Sequence, residues 1–190
     1  MKLLLASKSP RRRQLLAETG LPVECVSIDV DEHIDSPLSP ANVAEHLARR
    51  KAAAFPQDKI GDDCILVTAD TTVVLDGHVM GKPANRDEAL AMLHSLAGRQ
   101  HTVYTGVCLR SHNDEVSFTE STEVHFRQLT DEEIAHYVDT YKPYDKAGAY
   151  GIQEWIGMVG IERIEGCYYN VMGLPVARLY ETLCSRFLSR

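Results

Sequence analysis

The chain has 190 residues, of which 44% are hydrophobic and 25% charged, and carries a formal net charge of −7. These proportions exclude a disordered, collagen-like or low-complexity chain, and the length allows one larger α/β unit with a real core. An acidic chain is a poor sequence-independent binder of long polynucleotides, which calls for a basic surface. The cysteines at 25, 64, 108, 167 and 184 are odd in number and share no CxxC spacing, which speaks against a disulfide framework or a structural zinc. They are expected to be small, mostly buried apolar residues in a reducing cytoplasm. The apolar opening Leu3–Ala6 is too short for a signal peptide or a membrane span, so a soluble cytoplasmic protein is expected.

Leu3–Ala6 reads as a short buried strand. Ser9-Pro10 opens a helix, with Ser9 as N-cap and Pro10 at the first helical position. Leu15 and Leu16 face inward, and Gly20 stands where a C-terminal cap belongs. Leu21–Val30 is a candidate second strand, followed by a polar loop containing Asp31, Glu32 and Asp35. Ser39-Pro40 repeats the opening signal, and Val43, Leu47 and Ala54 form an apolar stripe that Pro56 closes. Cys64–Val67 is a run of β-formers ending in Thr68-Ala69-Asp70, a pattern that fits a strand covered on both faces. Thr72–Leu75 and His78–Met80 flank Asp76-Gly77, a two-residue hairpin signal. Asn85 caps a helix carrying Leu90, Leu93 and Leu96. Thr102–Arg110 and Val116–Phe126 read as long strands, and Thr130–Glu133 is a capping box. Lys142–Gly151 reads as a loop, Met158–Ile164 as a strand, and a last helix begins near Pro175. The expected architecture is α/β: a single domain over residues 1–190, with a central mixed β-sheet flanked by helices, compatible with two lobes around a cleft.

Four segments could carry chemistry. Ser7-Lys8-Ser9-Pro10-Arg11-Arg12-Arg13 puts three arginines on a first helical turn, where the dipole already favours anions. That arrangement is a phosphate site or a solvated basic turn. Asp70 closes an apolar strand, and functional residues in open α/β sheets gather at such ends. With Glu32 it could hold Mg²⁺, a hard cation that prefers oxygen ligands; capping a turn is the alternative. Met80-Gly81-Lys82-Pro83 fixes one lysine as a point charge for phosphate, and lacks the upstream glycine of a P-loop. Asp145–Gln153 alternates small residues with Asp, Lys and Gln. Its glycines permit close backbone approach, and Gln153 has the donor and acceptor atoms that suit a nucleobase edge. The histidines show no HExxH spacing for a catalytic zinc and are expected mostly at the surface; no GxSxG elbow exists.

Taken in order, Leu5–Arg12, Asp31-Glu32, Ala69-Asp70-Thr71, Gly81-Lys82-Pro83, Asp145–Gln153 and Gly173-Leu174-Pro175 resemble the Maf family of nucleoside triphosphate pyrophosphatases over nearly the whole chain. The resemblance implies a Maf/ITPase-like fold and hydrolysis between the α and β phosphates. Ala69-Asp70-Thr71 is similar to the branch acting on dTTP and UTP rather than its 7-methyl-GTP sister. It implies Asp70 as general base or as the metal ligand that orients the attacking water, and Glu32 with Asp70 as ligands of Mg²⁺ or Mn²⁺. Ser7, Arg12, Lys51, Lys82 and Lys146 would bind phosphate, and Arg11, Thr71 and Gln153 would select the base. It further implies a homodimer in the cytoplasm, whose partner is the nucleoside triphosphate, with no polynucleotide and no membrane. The chain departs from the family after Gln153, where Glu154-Trp155-Ile156-Gly157 replaces the usual Gly-x-Gly and adds a carboxylate. A pyrophosphatase for modified nucleotides, or a nucleotide-binding regulator of cell division, are the competing readings.

Overall fold

The computed structural model describes residues 1–31, 33 and 38–188. The strands are β1 (Lys2–Ala6), β2 (Val23–Val26), β3 (Cys64–Leu75), β4 (His78–Met80), β5 (Gln100–Arg110), β6 (Glu115–Phe126) and β7 (Ile161–Glu165). The α-helices are α1 (Pro10–Ala17), α2 (Pro40–Ala54), α3 (Arg86–Leu96), α4 (Asp131–Tyr141), α5 (Trp155–Gly160), α6 (Tyr168–Met172) and α7 (Val176–Leu183). The strands form a mixed seven-strand sheet in the order β2-β1-β3-β5-β6-β7, with β4 on β3. β1 runs parallel to both β2 and β3, with Leu3 opposite Val23 and Leu5 opposite Val67. β4 and β7 are antiparallel to β3 and β6. Among the described residues no helix is long and apolar enough to cross a membrane.

The expected helix openings are present. The Ser9 side chain accepts from Arg12 N, with Pro10 at the first turn. The Asn85 side chain accepts from Glu88 N, and Thr130 and Glu133 form the full capping box. At the hairpin, Asp76 and Gly77 both have positive φ, 50° and 77°, the type I′ geometry that matches strand twist. Four expectations are corrected. The second strand shortens to Val23–Val26. Asp70 does not close a strand, because Cys64–Val67 and Thr72–Leu75 are parts of one 12-residue strand, β3. Residues Trp155–Gly160 are helical, so the last strand begins at Ile161 instead of Met158. Of the cysteines only Cys108 is buried, its thiol pushed up to about 12 chiefly by burial.

The chain divides into two compact units, and β3, β5 and β6 pass through both. The first comprises residues 1–70, 105–120 and 173–190. Part of its core gathers Leu4 and Ala6 of β1, Ala48 and Ala52 of α2, Leu66 of β3 and Cys108 of β5. α2 lies unusually close to β5: a Cβ built on Gly106 would fall 2.2 Å from the backbone N of Glu45. Thr68 Oγ1 donates to Ala48 O at 2.7 Å, and the Glu45 carboxylate accepts from Ser117 and Thr119, both at 2.7 Å. Glycine on the strand and hydroxyls at both edges thus seat one face of the helix.

The second unit comprises residues 71–104 and 121–172. Its core draws Leu93 and Leu96 from α3, Val124 and Phe126 from β6, Ile134, Tyr137 and Val138 from α4, and Tyr150, Ile152 and Ile156. His101 is 2% exposed within it, an exception among histidines that are mostly exposed as expected. Its Nε2 lies 2.7 Å from Tyr150 Oη, and its ring stacks on Phe126. Burial pushes the imidazole pKa down to about 3 from 6.5. Between those values the unfolded chain binds a proton that the folded chain refuses, so stability falls as pH is lowered through that window. The slope is about 1.4 kcal/mol per pH unit for one such group. The urea midpoint is expected to drop between pH 6.5 and pH 4.5, and His101→Phe is expected to flatten that decline. Equal declines in both proteins would acquit His101.

Candidate active site

In the first unit, the parallel register with Leu5 opposite Val67 brings the chain out of β1 at the level of Thr68–Asp70. Ser9 N donates to Ser7 Oγ at 3.2 Å, which tightens the turn into α1. Arg12, one turn into α1, donates from Nε to Gly173 O at 2.8 Å and lies 3.5 Å from Ser7 Oγ through Nη1. The Gly173 carbonyl thus aims the guanidinium, a role that Gly173-Leu174-Pro175 did not disclose as a motif. Arg11 is half-buried beside it in sequence, while Arg13 is exposed.

On α2, Ala44, Leu47, Ala48 and Lys51 follow helical spacing on one face. On β3, Leu66, Thr68 and Asp70 alternate onto one face. Leu66 packs with Ala48 and Thr68 bonds to Ala48 O. The next pair along these two faces is Lys51 and Asp70, and Nζ meets Oδ1 at 2.6 Å. Each side chain is only 14% exposed. Such a charge-assisted contact holds the carboxylate aimed in one direction and largely out of water. Glu32 lies outside the described residues.

In the second unit, Thr71 follows Asp70 along β3 and is half-buried. Lys82 is exposed. Gly148 N donates to Gly81 O at 3.1 Å, so two segments distant in sequence, Gly81-Lys82-Pro83 and Asp145–Gln153, are joined through their backbones. Lys146 is 8% exposed, and its Nζ lies 2.7 Å from Asp145 and 3.1 Å from Glu154. The buried Tyr137 hydroxyl donates to Glu154 Oε2 and accepts from Gly151 N at 3.0 Å. Burial, then the bond to Glu154, raises the phenol pKa well above its usual value. Gln153 is half-buried. Tyr137 was missing from the sequence reading. Its only trace there is an i, i+3, i+4 stripe with Ile134 and Val138, in which a hydroxyl hides among apolar neighbours.

One group among the described residues has metal-like spacing, Glu123, His125 and Glu165, whose ligand atoms lie within 4.8 Å of one another. It is not the expected pair, and protein donors already serve it. Arg163 Nη2 lies 2.7 Å from Glu165 and 3.3 Å from His125, and Gln100 Nε2 donates to Glu123 at 2.7 Å.

Comparison with known proteins gives a family match and close relatives. The family model described as Maf-like protein matches residues 2–186. A dTTP/UTP pyrophosphatase of Parabacteroides distasonis is 50% identical over 183 residues, covering 96% of this chain and 94% of that one. The dTTP/UTP pyrophosphatase of Bacteroides fragilis (strain ATCC 25285) is 49% identical over 185 residues with the same coverage. That of Chlorobaculum parvum is 44% identical over 186 residues, covering 96% and 92%. Among solved structures, the Staphylococcus aureus Ham1 protein covers 66% of this chain and 72% of that chain, at 11% identity and a TM-score of 0.45.

Proposed function

Since the chain belongs to the Maf family, we propose that it hydrolyses dTTP and UTP to the nucleoside monophosphate and pyrophosphate. The observation that carries the reading is the Lys51–Asp70 contact at 2.6 Å, a desolvated carboxylate aimed by a cation. The names and similarity of the relatives support the substrate choice. In the reaction Asp70 takes the proton of a water as its oxygen attacks the α-phosphorus. The bond from that phosphorus to the bridging oxygen breaks, and pyrophosphate leaves. Ser7, Arg12, Lys51, Lys82 and Lys146 serve the phosphates, where positive charge stabilises the departing group. Arg11, Thr71 and Gln153 serve the base, and bonds to its edge penalise analogues that leave polar groups unpaired.

Asp70 also suits a divalent cation as one ligand, because its carboxylate is a hard oxygen donor. Glu32 would be the second ligand. A bound Mg²⁺ or Mn²⁺ would lower the pKa of a water and offset the charge of the triphosphate. The same reading takes residues 1–190 as one catalytic domain, forming a homodimer in the cytoplasm, with the nucleoside triphosphate as partner. The family match over residues 2–186 supports the single domain.

Pyrophosphate release is the test, measured on dTTP, UTP, CTP, GTP and 7-methyl-GTP with Mg²⁺ and with Mn²⁺. Turnover of dTTP and UTP is expected to exceed that of the purines by roughly tenfold or more. Preference for 7-methyl-GTP or another purine would overturn the substrate assignment. Binding without release would overturn the enzymatic one.

A further inference from the structure

Glu154 stands at the head of the short helix α5. It offers no capping bond to that helix. Its carboxylate is turned inward instead, where one oxygen accepts from the Tyr137 hydroxyl and the other faces Lys146 Nζ at 3.1 Å. The Tyr137 hydroxyl spends its lone pair on Gly151 N. One chain of contacts therefore runs from Gly151 through Tyr137 and Glu154 to Lys146 and Asp145.

The same residues explain the glycine at 151. A Cβ there would lie 3.0 Å from Gln153 Nε2, 3.0 Å from Glu154 Cδ and 3.1 Å from Glu154 Oε2. The Gln153 amide and the Glu154 carboxylate thus fold back side by side over the bare Cα of residue 151. Lys146 has little freedom of its own, since it is 8% exposed and faces two carboxylates. A buried lysine needs such a counter-charge, because leaving it unpaired in a desolvated site is costly.

We propose that Glu154 is a positioning residue, clamped by Tyr137 and Lys146, that fixes the Gln153 amide in the orientation that selects a pyrimidine base. This rests on the reading that Gln153 serves the base. Glu154 is then a specificity device built into the second unit. It touches neither base nor phosphate. It acts by holding the group that does, and a misplacement of about 1 Å in such a group can cost up to about 10²-fold.

Two conservative variants test it. Glu154→Gln keeps an oxygen for Tyr137 but removes the charge facing Lys146. Tyr137→Phe keeps the ring and removes both hydroxyl contacts. Each is expected to raise KM for dTTP and UTP about tenfold while kcat changes less than about threefold, the signature of lost ground-state and transition-state binding alike. The preference for UTP over CTP is expected to fall by a similar factor. Because both changes break one chain of contacts, the double variant is expected to be little worse than either single one. Variants that melt earlier yet keep wild-type KM and the UTP-to-CTP ratio would show Glu154 to be structural only, and so would strictly multiplicative effects on KM. A wild-type protein with no turnover of dTTP or UTP would instead sink the functional reading beneath the proposal.

Discussion

Asp70→Asn is expected to fold and to lose pyrophosphate release by about 10²–10⁴-fold, the range for removing a positioned general base. The amide has the shape of the carboxylate and retains an acceptor for Lys51 Nζ, which now sits 2.6 Å from Oδ1. It has no basic oxygen for the proton of a water. The cost to stability is about 1–3 kcal/mol, since Lys51 is only 14% exposed and keeps a weaker partner. Circular dichroism and a melting curve check the fold, and a pyrophosphate-coupled assay at saturating dTTP reads the chemistry. Wild-type turnover in this variant would remove Asp70 from the mechanism. Lys51→Met makes a useful companion, because it strips the aiming cation and leaves the base itself in place.

The second large effect concerns Gly106. A methyl group at this position would overlap the backbone of α2, reaching 2.2 Å from Glu45 N and 2.3 Å from Ala44 C. Backbone cannot rotate away as a flexible side chain can. The helix must lift, and that strains the Thr68 bond to Ala48 O and the two hydroxyl bonds to Glu45. Gly106→Ala is expected to cost about 3 kcal/mol, at the upper end for overpacking. For a chain of this size that lowers Tm by on the order of 10 °C. Lys51 rides on the displaced helix, so the fraction that stays folded is expected to turn over more slowly as well. Melting at the wild-type temperature would show that α2 does not bear on β5 at this point.

Local chemistry made much of the fold legible. Ser9-Pro10, Asn85 and the Thr130–Glu133 box mark helix starts because each side chain caps a backbone donor within three residues. Asp76-Gly77 marks the hairpin because both residues tolerate positive φ. Where partners lie far along the chain, the reading failed. Thr68-Ala69-Asp70 looks like the polar end of a strand, but Thr68 and Asp70 are answered by α2, through Ala48 O and Lys51, and β3 runs on. Met158–Gly160 looks extended because it runs straight into the β-formers of Ile161–Ile164, yet it is the end of helix α5. Glu154 looked like an intrusion, because Tyr137 and Lys146 reach it from 17 and 8 residues away. The chemistry-bearing residue types were found by motif. Their joints, at Tyr137, Glu154 and the Gly173 carbonyl, exist only in three dimensions.

The uninterrupted course of β3 bears on how the reacting group is prepared. Had Asp70 closed a strand, its backbone would have kept torsional slack, and a nucleotide would have had to still it on arrival. Ordering one residue's backbone costs about 1–2 kcal/mol. Mid-strand, with ladder neighbours continuing to Leu75, Asp70 met that cost when the chain folded. The only torsions left to settle are those of its own short side chain and of Lys51, already locked to each other. In the proposed reaction the entropic share of the barrier is therefore carried by substrate and water, and the carboxylate contributes almost none of it.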